Sequence, residues 1–239
     1  MMTIRLALIG ACAVAMQAQS GPTADEVVEK SIAASGGRQA LEKINSTVGK
    51  GTLAVPSQGI TAPFEYYAQA PNKRLFIVRV EGWGELRRSC DGETAWEDHP
   101  SNGFRIAEGE EREDALRECV FNEELKWREL YPKRELAGKE KIGGREAYKV
   151  VMTPASGKPV TRYFDAETFL MAAQATKRAT AQGVVDVRVE YSDYREVDGV
   201  KTPFTIKETT PGEEVVIHLT ELRNNVAIDG ALFAKPAGK

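Results

Sequence analysis

The chain is poor in the residues that perform chemistry. Among 239 residues it has two histidines, His99 and His218, and three cysteines. No His-x-x-x-His or Cys-x-x-Cys spacing occurs, so nothing in it predicts a zinc site. A serine triad needs Ser, His and an acid brought together, and Ala155-Ser156-Gly157 lacks the Gly-x-Ser-x-Gly elbow. Gly82-Trp83-Gly84 lacks the Lys-Ser/Thr ending of a phosphate loop and reads as a strand break or bulge. Acids cluster at Glu108, Glu110, Glu111, Glu113 and Asp114, but at a helix entrance they favour the dipole and stay solvated. The expectation is a non-enzymatic chain with no catalytic residue, cofactor or metal; a hydrolase is the least favoured reading.

Basic excess is missing too. Lys and Arg total 32 against 35 Asp and Glu, a net charge of -3. That gives no electrostatic reason to expect nucleic acid. Long apolar runs are confined to the beginning. One positive charge in Met1–Arg5 precedes the apolar stretch Leu6–Met16 and small residues, the pattern of a secretory signal peptide over 1–20. A buried N-terminal helix is the alternative. Ile9-Gly10-Ala11-Cys12 also resembles a lipobox, which makes a lipid anchor at Cys12 a minor alternative. The remainder is expected to be periplasmic or secreted. Export permits a disulfide between Cys90 and Cys119; two unpaired buried thiols are the other option.

What is abundant is turn chemistry between β-formers. Asp91-Gly92, Gly143-Gly144, Asp198-Gly199 and Pro211-Gly212 each sit between runs of Val, Ile, Thr, Tyr or Phe, as hairpins require. Thr23 and Glu26 form a capping-box pattern that starts a helix, and Gly36-Gly37 ends it. A second short helix is predicted over Arg38–Asn45. Strands follow from Thr47 onward, and the strand Arg74–Val80 is apolar on both faces. The ladder is interrupted once, where Leu116, Cys119, Val120, Trp127 and Leu130 keep a helical period. One amphipathic helix is predicted over Glu108–Tyr131, ended by Pro132. Ile228, Leu232 and Phe233 in the tail are expected to tuck back on the domain.

The expected fold is mainly β: a single large curved antiparallel sheet forming an unclosed β-barrel over 23–236, covered by N-terminal helices and one mid-chain amphipathic helix. Apolar side chains are spread over its strands and helix. Phe64, Tyr66, Phe76, Val78, Trp96, Leu116, Val120 and Trp127 are either packed core or the lining of a ligand cavity.

Four segments carry a family resemblance: Ser89–Trp96, Gly143–Val150, Tyr163–Leu170 and Asp193–Phe204. With the N-terminal helix pair and the mid-chain helix, their order resembles the LolA/LolB-like periplasmic lipoprotein carriers and their outer-membrane lipoprotein-sorting-like relatives. The resemblance implies a hydrophobic cavity that shields acyl chains in transit, with an apolar ligand or lipoprotein as partner. An envelope protein is the alternative partner, for an interaction domain with a packed core. The chain is expected to act as a monomer.

Overall fold

The computed structural model describes residues 21–236. The export segment read at 1–20, Cys12 included, lies outside the described residues. The chain opens with α1 (Ala24–Ala34) and α2 (Arg38–Glu42). The capping box forms as its sequence requires: Glu26 N donates to Thr23 Oγ1 at 3.2 Å and Thr23 N to Glu26 Oε2 at 2.7 Å. Gly36, at φ 119°, then turns the chain; a β-carbon there would lie 2.1 Å from the Gly199 carbonyl oxygen. Only glycine lets the end of α1 dock so closely.

Six strands follow: β1 (Ser46–Val55), β2 (Ile60–Gln69), β3 (Lys73–Val80), β4 (Gly84–Cys90), β5 (Ala95–His99) and β6 (Gly103–Ile106). After a helical linker come β7 (Lys133–Ile142), β8 (Arg145–Thr153), β9 (Val160–Asp165), β10 (Met171–Thr180), β11 (Gly183–Val197), β12 (Val200–Thr210) and β13 (Glu213–Asn224). All 13 strands make one sheet in the order β6-β5-β4-β3-β2-β1-β13-β12-β11-β10-β9-β8-β7. Neighbours in the sheet are neighbours in sequence except at one seam, where β1 pairs with β13 antiparallel. The sheet is two meanders joined at the chain's two ends, with β6 and β7 as its edges. β6 was not foreseen; at four residues it is too short to show an alternation.

The sheet curls strongly. A helix of the linker, α3 (Gly109–Glu118), packs against both β5 and β10. Eight strand steps separate those two in the sheet, about 38 Å if it were flat. A ten-residue helix is about 15 Å long, so the sheet must fold round to bring both strands to it. The concave face carries α1, α2 and the linker. The convex face over β3–β5 carries the tail: Ile228, Leu232 and Phe233 pack on Leu75, Ile77 and Trp96. Trp96 Nε1 and Ser89 Oγ each donate to the Phe233 carbonyl at 3.0 Å. This explains why β3 is apolar on both faces.

The single helix expected over Glu108–Tyr131 is corrected. The linker consists of α3, a 3-10 turn at Glu123–Leu125, and α4 (Trp127–Leu130). Asn122 breaks it at φ 48°. Its Nδ2 donates to the carbonyls of Leu41 at 2.7 Å and Ile44 at 3.3 Å, at the end of α2. The Phe121 N–H meanwhile donates to Pro71 O at 3.0 Å. Docking onto α2 and the β2–β3 turn outcompetes helical continuation.

Candidate functional site

The apolar residues of the linker do not form one stripe. Trp127 and Tyr131 bury with Val27, Val28 and Ile32 of α1 against Val150, Met152, Val160 and Phe164 of the sheet. Leu116 packs instead with Cys90, Ala95, Ala107 and Cys119. Val120, between them, is half-buried. Trp96 lies on the convex face beneath the tail. Four of the eight predicted lining residues do come together. Phe64 and Val78 are buried in one cluster with Phe204 and Leu219, and Tyr66 and Phe76 pack against it. Phe76 centres the group, its ring 5.9 Å from Phe64 and 5.3 Å from Tyr66.

This cluster is built from strand residues alone. Strand alternation puts Ala62, Phe64 and Tyr66 of β2 and Phe76, Val78 and Val80 of β3 on the concave side. Leu53 of β1 and Ile217 of β13 join them across the seam. Tyr66, Phe76, Val80, Leu53 and Ile217 all keep accessible surface. The result is an apolar trough on the part of the concave face that the helices leave open.

One end of the trough is polar, and sequence reading missed it. Arg74, Arg162 and Arg178 stand in phase with the inward apolar residues of β3, β9 and β10. Arg162 pairs with Glu123 of the linker. Arg178 pairs with Glu118 at 3.1 Å and Glu208 at 2.7 Å. Burial pushes Tyr191 up to about 12 and Arg162 down to about 10. Burial likewise raises Tyr66, Tyr194 and Glu124. Tyr66, Arg74, Glu124, Tyr191 and Tyr194 nevertheless retain accessible surface. Side chains both desolvated and accessible line a hollow; a packed core gives only the first. The missed signal was a period of two: Arg74 precedes Phe76 and Val78, and Glu208 follows Phe204 and Ile206.

Cys90 and Cys119 are free thiols, both buried in one cluster with Ala95 and Ala107, and Cys90 Sγ donates to the Asn72 carbonyl at 3.7 Å. The Cys90 neighbour and burial both push Cys119 up. The histidines lie elsewhere. His99 Nδ1 accepts from the Ser101 and Asn102 N–H groups at 3.2 Å each, in an exposed turn. Exposed His218 meets Thr205 Oγ1 at 3.1 Å. Among the described residues no three His, Cys, Asp or Glu side chains gather as a metal site, and no helix is long and apolar enough to cross a membrane. Two other depressions, of about 460 and 570 Å³, open outside the concave face; charged Glu29, Arg38 and Arg128 edge the first, and Lys158, Lys177 and Arg188 the second.

No family model and no curated protein sequence matches the chain. Solved structures do. A DUF1329 family protein from Desulfovibrio piger superimposes with a TM-score of 0.61 at 16% identity, covering 88% of this chain and 97% of that one. A putative outer membrane lipoprotein-sorting protein domain from Vibrio parahaemolyticus gives 0.60 at 14%, covering 86% and 97%. A LolA superfamily protein from Nitrosomonas europaea gives 0.57 at 13%, covering 90% and 98%. The chain has the LolA-like fold. At these identities the likeness is one of architecture, and the unclosed antiparallel barrel read from the hairpins is the architecture found.

Proposed function

We propose that the chain is an exported carrier or binding protein of the cell envelope, and that it holds a lipid, a lipoprotein acyl chain or another apolar ligand in the concave trough. The observation that carries this reading is the apolar cluster around Phe76, made of strand residues only and left partly accessible. Shielding it with an acyl chain removes apolar surface of both partners from water, worth about 0.8 kcal/mol per methylene buried. The shared fold supports the reading, since one neighbour is described as a putative outer membrane lipoprotein-sorting domain. The site's inward polar groups are the paired Arg162 and Arg178, the phenols of Tyr66 and Tyr191, and Arg74 and Glu124, which have no ion pair among the described residues.

Uptake of a neutral fluorescent lipid by the purified protein tests this. Wild type takes up the probe at micromolar concentration. Phe76→Asp, which places a charge on the trough floor, lowers uptake by tenfold or more. Arg79→Gln, on the convex side of the same strand, leaves it unchanged. No uptake by wild type would sink the carrier reading and favour an envelope interaction domain, for which a pull-down from envelope extract recovers a protein and no lipid.

A further inference from the structure

Among the described residues, one arginine of the concave hollow has no ion-pair partner of its own. Arg117 pairs with Asp114, Arg162 with Glu123, and Arg178 with Glu118 and Glu208. No ion pair engages Arg74 among the described residues. Its Nε is fully buried and has no hydrogen-bond partner. Around it stand two phenols, two thiols and a carboxylate already committed elsewhere: Tyr66, Tyr191, its cross-strand partner Cys90, Cys119, and Glu118, which pairs with Arg178. Cys90 Sγ donates instead to the Asn72 carbonyl at 3.7 Å. A desolvated guanidinium with no carboxylate of its own is stabilised by a supplied anion.

Arg74 is also placed at the head of the apolar row. Along β3 the residues facing the same side are Arg74, Phe76, Val78 and Val80. That row runs about 20 Å. The Arg74 guanidinium lies 5.9 Å from the Phe76 ring centroid, at the polar end under the linker.

We infer that Arg74 receives the head group of the ligand, and that the ligand is a long-chain carboxylic acid lying head-inward along β3. This rests on the carrier reading and narrows its ligand class. A guanidinium offers a planar fork that matches one carboxylate bidentately. A monoanion neutralises the single unpaired charge. A phosphate dianion brings a second negative charge towards Glu118 and Glu208, which already serve Arg178.

Displacement of the neutral dye N-phenyl-1-naphthylamine from the purified protein tests the inference with four ligands: palmitate, hexadecanol, hexadecyl phosphate and hexadecyltrimethylammonium. Wild type binds palmitate about 30-fold more tightly than hexadecanol, the size of effect expected of a charge-assisted hydrogen-bonded pair. The cationic amphiphile is the weakest of the four. Arg74→Met brings palmitate and hexadecanol within threefold of each other and leaves hexadecanol unchanged. Arg74→Met is expected to fold, because it removes an unpaired buried charge. If it does not, the wild-type comparison of palmitate with the cationic amphiphile decides alone. Equal binding of palmitate and hexadecanol, or an unaltered preference in Arg74→Met, overturns the inference and leaves the carrier reading standing. Tighter binding of hexadecyl phosphate than of palmitate overturns the carboxylate assignment. No dye uptake at all overturns the carrier reading, and this inference with it.

Discussion

Asp114 is the buried carboxylate that ties α3 to the sheet. It accepts from the Ala179 N–H at 3.0 Å and from Lys158 Nζ at 3.2 Å, and it pairs with Arg117 at 3.0 Å. Burial opposes its ionisation, but the Ala179 N–H, Lys158 and Arg117 outweigh it and hold its pKa below the usual carboxylate range. Its contribution to stability is therefore complete above the unfolded value near 3.9 and is lost as pH falls through the lower folded value. Asp114→Asn is expected to cost on the order of 2 kcal/mol at pH 7, with the gap from wild type closing below about pH 4. Thermal melts across that range measure it. Glu124 has the opposite sign. Burial raises its pKa, so the folded chain resists its ionisation. The resulting penalty is absent below the unfolded value and complete above the raised folded one. Glu124→Gln should raise the melting temperature at pH 7–8 and leave it unchanged near pH 4; equal effects at both would refute the assignment.

At the scale of elements, the strands were legible because their turns are local. Gly143-Gly144 and Asp198-Gly199 supply the positive φ that tight hairpins need, and the strands flanking them begin and end within a few residues of expectation. The trough was half legible for the same reason. Phe64, Tyr66, Phe76 and Val78 alternate on adjacent strands, so period alone brings them together. Trp96 was misassigned because it points to the convex side, and only the returning tail reveals what covers it. The linker misled for a physical reason as well. Leu116, Cys119 and Val120 keep a helical period with Trp127 across Asn122, but the side-chain amide of Asn122 is spent on α2. Sequence periodicity does not contain that competition. Cys90 and Cys119 show the same limit: their meeting depends on how α3 lies over β4 and β5. Their contact makes a definite expectation. Mild oxidation should join the two, detected as a Cys90–Cys119 cross-linked peptide by mass spectrometry. Closing a loop of this size adds about 3 kcal/mol, a rise in melting temperature of about 6–12 °C that a reductant reverses.

At the scale of the whole molecule, everything depends on the seam between β1 and β13, which makes two meanders one sheet. A register shift between Lys50 and Gly51 sits within it. A β-carbon on Gly51 would lie 2.0 Å from the His218 carbonyl oxygen, a backbone atom that cannot swing aside. Gly51→Ala should therefore force the strands apart and cost more than about 2 kcal/mol, as overpacking of a rigid contact does. A substitution at Gly230, which lies outside the left-handed region and whose β-carbon would meet only Lys73 Nζ at 3.6 Å, does not part the seam. Chemical denaturation of the two variants distinguishes them. The same topology has a consequence for the opposite side of the barrel. The sheet's two free edges, β6 and β7, are also consecutive in the chain, and the segment joining them is the helical linker. That segment is moored at both ends to the strands whose separation defines the opening. The length of that segment therefore sets an upper limit on how far the two lips of the barrel can stand apart.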